Sequence, residues 1–150
     1  MATNEPLEKV TRVLLPVDGS SSSIHAVNYV IELAKESKSM EIHLLNVQPE
    51  INSGEISLYV SVDLINEYRQ EQAKLALKPA EKLLDATQVR YTSHIALGRA
   101  AETIARYAKE KHCNVIVMGS RGKGSVAGLI LGSVSIKVIH LVEVPVTLVK

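Results

Sequence analysis

The chain has 150 residues, 46% of them hydrophobic and 22% charged, which predicts one domain over residues 1–150 with a sizeable apolar core. A formal net charge of +1 with both signs interspersed argues against nucleic-acid binding, and the lone cysteine, Cys113, excludes an intrachain disulfide or a cysteine metal cluster. No apolar run is long enough for a membrane span and residues 1–8 lack the apolar core of a signal peptide, so we expect a cytoplasmic protein without membrane contact.

The first half of the chain alternates between strand and helix patterns. Residues 1–10 predict a flexible N-terminus, and the apolar run over residues 12–17 predicts a first strand. A helix should begin near Ser20, because serines are favoured N-caps. Its predicted buried face consists of Ile24, Val27, Ile31 and Ala34. A second strand follows over residues 42–47, and residues 48–62 read as a long loop.

A long helix and an edge strand are predicted next. We expect Asp63 to cap the helix and Pro79 to kink or break it. The predicted buried face of this helix consists of Leu64, Tyr68, Leu75 and Leu83. Polar and apolar residues alternate over residues 89–95, which is typical of a half-exposed strand at the edge of a sheet.

The last third of the chain continues the alternation. Helical spacing predicts a third helix over residues 100–111, and an uninterrupted apolar run predicts a buried strand over residues 115–118. A fourth helix over residues 134–142 and a final strand over residues 144–149 complete the pattern. Strands that alternate with helices indicate an α/β domain built on a mainly parallel sheet.

A glycine-rich segment between the fourth strand and the fourth helix carries most of the functional information. Gly119, Gly122 and Gly132 lie in it, and Ser133 stands where the helix should begin. Glycines let the backbone approach a ligand closely, and the free amides of a helix's first turn attract anions. The segment therefore predicts a phosphate site, most simply for a nucleotide.

Two rival glycine motifs do not fit. A Walker A loop requires Ser or Thr after Gly122-Lys123, where this chain has Gly124. The letters of a dinucleotide fingerprint are present from Gly122, but they follow a late strand, and no acidic residue ends a following strand to bind a ribose.

The spacing of these residues, G-x2-G-x9-G-[ST], resembles the ATP-binding signature of the universal stress protein family. Residues 13–20 resemble the family's opening strand and acidic turn, and residues 144–149 resemble its closing strand. The resemblance implies a Rossmann-like fold, a single-domain open sheet of five mainly parallel strands in the order 3-2-1-4-5 with helices on both faces. That order brings the ends of strands one and four together, where such sheets bind ligands.

The resemblance also implies an adenine nucleotide in that crevice, ATP with AMP or ADP as alternatives. Pro16, Val17 and Val47 would flank the adenine, partly through backbone groups, although apolar packing explains these residues equally well. The residues from Gly119 onward would surround the phosphates, mostly through amides. The full predicted site is Pro16, Val17, Asp18, Val47, Met118, Gly119, Arg121, Gly122, Gly132, Ser133, Val134 and Ser135.

Asp18 allows two interpretations. It could contact the ribose, the adenine amino group or a magnesium ion on the phosphates, as the family's acidic turn implies. It could instead cap the helix that begins near Ser20. No cage of protein ligands for a metal is visible in the sequence, so any magnesium would arrive with the nucleotide.

Three functions stay open at the level of sequence. The complete signature favours an ATP-binding regulatory module of the stress response. The alternatives are a dimeric stress-related interaction protein that does not use nucleotide, and a slow ATPase or autophosphorylating enzyme. The chain has only three aspartates, and no histidine falls in the glycine segment, so no catalytic residue is assigned.

A homodimer through the final strand is the last expectation. This strand is too apolar for a solvent-facing edge; its apolar residues are Val144, Val146, Leu148 and Val149. The resemblance implies the same pairing. No feature of the sequence names a downstream protein partner.

Overall fold

The computed structural model describes residues 9–37, 39–50, 60–123, 128 and 130–150. Those residues form five strands and four helices. The strands are β1 (Thr11–Pro16), β2 (Met40–Gln48), β3 (Tyr91–Leu97), β4 (Val115–Gly119) and β5 (Val146–Val149). The helices are α1 (Ser21–Glu36), α2 (Val62–Asp85), α3 (Ala100–Glu110) and α4 (Ser133–Leu141). Most of the predicted flexible N-terminus (residues 1–8) and of the predicted loop (residues 51–59) lies outside the described residues.

The five strands form one parallel sheet in the order β3-β2-β1-β4-β5. This confirms the predicted strand order and the edge position of β3. Strand β1 is central because its side chains are apolar on both faces: Val13, Leu14 and Leu15 are each at most 1% exposed. The carboxyl ends of β1 and β4 lie side by side, since these two strands pair directly.

Helices cover both faces of the sheet, which confirms the single-domain, Rossmann-like α/β fold. One core lies between the sheet and helices α1 and α2, and it includes Val27, Val30, Leu77 and Leu84. The other lies between the sheet and helices α3 and α4, and it includes Ala101, Ile104, Ala108 and Val138. No helix in the described part of the chain is both long and apolar enough to cross a membrane.

Helix α2 corrects two expectations at its start and middle. Ser61, not Asp63, is the N-cap, and its hydroxyl oxygen accepts a hydrogen bond from the Leu64 N–H at 3.2 Å. Asp63 lies in the first turn, where a carboxylate complements the helix dipole. Pro79 does not break the helix, which continues to Asp85.

The predicted buried face of α2 is also largely wrong. Leu64, Tyr68 and Leu75 are each more than half exposed, and Leu83 is half-buried against the core. The buried side chains of this helix are Ile65, Ala73, Ala76, Leu77, Ala80 and Leu84. The helix carries two apolar stripes, and the stripe with three alanines is the one that packs. Small side chains let the helix approach its neighbours closely, which helical periodicity alone does not reveal.

Helix α1 shows a smaller shift of the same kind. The predicted residues Val27 and Ile31 are buried, whereas Ile24 and Ala34 are half-buried. The remaining buried positions are Ser23, Ala26 and Val30. Ser23 is buried without cost because its hydroxyl donates to the Ser20 carbonyl at 2.9 Å.

Candidate functional site

A cleft of about 240 Å³ lies beyond the carboxyl ends of β1, β2 and β4. The starts of α1, α3 and α4 and the glycine segment after β4 close its sides. All twelve residues predicted from the sequence line this cleft. The structure adds Ser20, Ser23, Leu45, Asn46, Ala100, Ile104 and Lys123 to the lining. Residues separated by more than a hundred positions in the chain therefore meet in one place.

Asp18 bridges two segments of this cleft. Its Oδ1 accepts a hydrogen bond from the Ser20 N–H at 2.9 Å, and its Oδ2 accepts one from the Lys123 N–H at 2.9 Å. The N-cap of α1 is Ser20 itself, whose hydroxyl oxygen accepts from the Ser23 N–H at 3.2 Å. The interpretation of Asp18 as the helix cap is therefore wrong. Asp18 instead ties the end of β1 to the glycine segment.

The pKa of Asp18 lies below its ordinary value. Burial acts to raise it, but hydrogen bonds from the Ser20 hydroxyl, the Lys123 and Ser20 amides and the Ser23 side chain together outweigh burial. The carboxylate is therefore ionised at neutral pH. A negative charge at this position suits a ribose hydroxyl or a cation, and it would repel a phosphate.

Two glycines are required by close packing at the carboxylate and at the start of α1. A Cβ on Gly122 would lie 2.5 Å from Asp18 Oδ2, and a Cβ on Gly119 would lie 2.7 Å from the Ser22 carbonyl carbon. Real Cβ atoms essentially never approach so closely, so a side chain would displace the hydrogen-bonded Asp18 carboxylate in one case and the backbone of α1 in the other. Gly122 therefore lies directly against the end of β1, and Gly119 lies against the first turn of α1.

The start of α4 supplies backbone donors to the same cleft. Gly132 is the N-cap and makes no side-chain capping bond, and the first intrahelical bond runs from the Ile136 N–H to the Gly132 carbonyl. Ser133 and Val134 precede that bond in the first turn of the helix, and both residues line the cleft. Uncapped amides at a helix N-terminus, together with the helix dipole, form an anion site.

Ser135 and Gly132 fix this helix to the end of β4. The buried Ser135 hydroxyl lies 3.1 Å from the Gly119 carbonyl and 3.2 Å from the Ser120 carbonyl, and it donates to these two acceptors. The Gly132 N–H donates to the same Ser120 carbonyl at 2.7 Å. Ser135 thus fixes the start of α4 to the end of β4 with its side chain.

The strand ends and α3 give the cleft an apolar wall. Its residues come from β1 and the position after it, from β2, from β4 and from α3: Pro16, Val17, Leu45, Val47, Met118, Ala100 and Ile104. A flat aromatic ring with a polar edge fits such a surface, because apolar walls bury its faces and a few backbone groups can bond its edge. Sequence spacing missed Ala100 and Ile104, since they belong to a helix that no local motif connects to the glycine segment.

Acid and base groups are sparse at the cleft. Among the described residues that line it, Asp18 is the one carboxylate, and none is a histidine. His43 and His94 lie 2.9 Å apart, Nδ1 to Nε2, on the sheet face that α3 covers. His25 Nδ1 lies 2.7 Å from the Lys150 carbonyl. Within the described ranges, no group of three or more histidine, cysteine or acidic side chains is placed to hold a metal.

Comparison with known proteins agrees with the fold. The model of the Universal stress protein family matches residues 9–150. The chain belongs to this family. The universal stress protein YxiE of Bacillus subtilis is 36% identical over 146 residues, which cover 93% of this chain and 98% of the relative. Universal stress protein MJ0531 of Methanocaldococcus jannaschii is 31% identical over 141 residues, covering 93% of this chain and 81% of the relative.

Solved structures of family members share the architecture of this universal stress protein. That of MJ0577 is 28% identical with a TM-score of 0.80, covering 93% of this chain and 95% of the other. A universal stress protein from Arabidopsis thaliana with AMP bound has a TM-score of 0.65 at 22% identity, covering 93% and 91% of the two chains. One from Archaeoglobus fulgidus in complex with dAMP has a TM-score of 0.67 at 19% identity, covering 95% and 98%. At these last two identities the likeness shows the fold alone.

Proposed function

We propose that this universal stress protein binds an adenine nucleotide, ATP first among them, and acts as a nucleotide-dependent regulatory module of the stress response in the cytoplasm. The observation that carries the proposal is the pairing of an apolar slot with an anion site in one cleft. The slot lies at the ends of β1 and β2, and the anion site lies at the uncapped start of α4. Solved family members with AMP or dAMP bound support the choice of ligand class.

Each part of the nucleotide has a matching surface. The adenine ring would lie between Val17, Val47 and Met118, and the ribose would reach the ionised Asp18 carboxylate. The phosphates would lie against Gly122 and the first-turn amides of α4. A magnesium ion would bind together with the phosphates. Asp18 would supply one carboxylate ligand, and the remaining oxygen ligands would come from the nucleotide and from water.

Binding is tested directly by thermal unfolding and calorimetric titration. Ligand at a hundredfold excess over Kd stabilises a protein by about 2.7 kcal/mol, which corresponds to a rise in Tm of about 5–10 °C for a domain of this size. ATP with magnesium, ADP, AMP and cAMP are compared in the same experiment. Absence of a shift with all four nucleotides would refute the proposal.

The phosphate end is tested by adding a negative charge at Ser133, the first residue of α4. Ser133→Asp keeps a residue that suits a helix start, but its carboxylate opposes the phosphates. We expect ATP affinity to fall at least tenfold while adenosine affinity stays unchanged. Val62→Asp, at the exposed first residue of α2 and away from the cleft, is the matched control and should bind ATP as the wild type does.

Homodimerisation through β5 is the second part of the proposal. In the described part of the chain β5 pairs with β4 on one side and ends the sheet on the other. Helix α4 adds apolar surface to the described residues, with Ile136, Ile139 and Leu141 each more than two-fifths exposed. Two copies of this edge can pair antiparallel about a two-fold axis and bury that surface.

Sedimentation measurements test the dimer. Val146→Lys, or deletion of residues 145–150, should give a monomer or an insoluble chain, because each removes the apolar edge. Leu97→Lys at the exposed end of β3, the other edge of the sheet, is the control and should leave the dimer intact. A wild-type protein that sediments as a monomer at high micromolar concentration would contradict this interface.

We propose binding rather than turnover. Phosphoryl transfer needs a group that orients the attacking water or hydroxyl, and Asp18 is the one carboxylate that the described part of the chain places in the cleft lining. The same carboxylate already accepts two backbone hydrogen bonds. Incubation with γ-labelled ATP should therefore release phosphate slowly at most and leave the protein unlabelled.

A further inference from the structure

Asn46 is a buried polar residue in an apolar strand and lies in the cleft lining. It is 3% exposed, and Leu44 and Leu45 before it are fully buried. Its Nδ2 donates to the Val17 carbonyl at 2.8 Å, and its Oδ1 accepts from Gln48 Nε2 at 2.7 Å. The carbonyl requires a donor, so the orientation of the Asn46 amide is fixed by its partners.

The Val17 carbonyl stands where the β1–β2 ladder should continue. The Val17 N–H donates to the Leu45 carbonyl at 2.9 Å. In a parallel ladder the carbonyl of the same residue would accept from the N–H two positions further along, that of Val47. The Asn46 side chain occupies that carbonyl instead, and the paired register of β1 and β2 ends at Pro16 and Leu45.

The consequence falls on the backbone of Val47. The backbone of the neighbouring residue Gln48 faces β3, because the Gly98 N–H donates to the Gln48 carbonyl at 3.0 Å. The backbone groups of successive strand residues point to opposite sides, so those of Val47 face β1. In the described part of the chain, the Val47 N–H has no ladder partner on β1. Val47 lines the cleft on that side.

We infer that Asn46 is a positioning residue of the nucleotide pocket: its side chain ends the β1–β2 ladder one bond early and thereby keeps the Val47 N–H available to the edge of the base. Without a side-chain donor at position 46, the Val17 carbonyl would accept a hydrogen bond from the Val47 N–H, because a buried carbonyl without a partner is unfavourable. The sheet would gain one backbone bond and the pocket would lose one donor. This inference rests on the proposed function.

The experiment combines amide hydrogen exchange in the nucleotide-free protein with calorimetric titration of adenosine, which probes the base end without phosphates. Asn46→Leu removes the donor at similar volume, and Asn46→Asp keeps the shape while it removes the N–H. Asn28→Leu, at an exposed position of α1, is the matched control. We expect the wild-type Val47 amide to exchange at least tenfold faster than the Leu45 amide, and Asn46→Leu to slow it at least tenfold. Adenosine affinity should fall at least tenfold in both Asn46 variants and stay unchanged in the control.

The outcomes separate this inference from the proposed function. A wild-type protein that binds neither adenosine nor ATP refutes the nucleotide site itself. A wild-type protein that binds both, with Asn46→Leu and Asn46→Asp binding adenosine equally well, refutes only the role of Asn46. Wild-type protection of the Val47 amide equal to that of Leu45 also overturns it, because the N–H would then already be bonded. A merely structural role would lower the stability of the variants without slowing exchange at Val47.

Discussion

Alanine substitutions at Gly122 and Gly132 should have very different effects, although both residues belong to the same glycine spacing. A Cβ on Gly122 would lie 2.5 Å from Asp18 Oδ2, whereas the nearest atom to a Cβ on Gly132 is the Arg121 Cα at 3.4 Å. Gly132 has φ −76° and ψ 159°, which alanine adopts without strain. The two variants therefore differ in one contact, the one with the Asp18 carboxylate.

The magnitude follows from the hydrogen bond that this contact disrupts. The added methyl group of Gly122→Ala must push the Asp18 carboxylate away from residue 122. This movement breaks the hydrogen bond from the Lys123 N–H to Asp18 Oδ2, which is 2.9 Å long. A hydrogen bond to a charged group contributes about 1.5–3 kcal/mol, and the lower end applies because Asp18 is only half-buried. Nucleotide would then have to order the released segment, at a cost of about tenfold in affinity.

Calorimetric titration with ATP and magnesium measures this effect, and circular dichroism checks that both variants are folded. We expect Gly122→Ala to bind about tenfold more weakly than the wild type and Gly132→Ala to stay within about threefold. Wild-type affinity in Gly122→Ala, or an equal loss in both variants, would refute the role given to the Asp18 contact.

Three further predictions concern titratable groups. Asp18→Asn should lower the free energy of unfolding by about 1–3 kcal/mol at pH 7, since an amide cannot accept both backbone bonds. The pKa of Asp18 is lowered from 3.8, so the stability difference between wild type and variant should vanish as the pH falls through that lower value. Urea titrations at a series of pH values measure this difference. Burial and the charges of His43 and Lys111 lower the pKa of His94 below 6.5. The unfolded chain therefore binds the proton first, and the free energy of unfolding should fall as the pH drops below 6.5. His94→Gln should reduce this dependence of stability on pH, and an unchanged dependence would contradict the prediction. Burial and the charge of Glu41 raise the pKa of Cys113 to about 11, so a thiol reagent at pH 7.5 should label the native protein far more slowly than the unfolded chain, and equal rates would exclude a buried thiol.

Much of the fold and the composition of the site could be predicted from local sequence. Strand β4 and the start of α4 are recognisable because an apolar run, a glycine segment and helical spacing follow each other in the chain. The resemblance carried by Gly119, Gly122, Gly132 and Ser133 then gave the strand order, which no periodicity contains. The twelve predicted residues meet in one cleft because a parallel sheet of this order brings the carboxyl ends of β1 and β4 together.

The partners of individual side chains were decided by the tertiary structure. Sequence reasoning gave Asp18 a choice between ligand and helix cap, but the structure bonds it to an amide 105 positions away. Asn46 lies in the predicted second strand, and the role inferred for it depends on the carbonyl of Val17, just after the neighbouring strand β1. Helix α2 buries the face that carries Ala73, Ala76 and Ala80. We attribute this to the close approach that small side chains allow. Periodicity and spacing are properties of consecutive residues, whereas hydrogen-bond partners and close packing depend on which distant segments the fold brings within about 3–4 Å of each other.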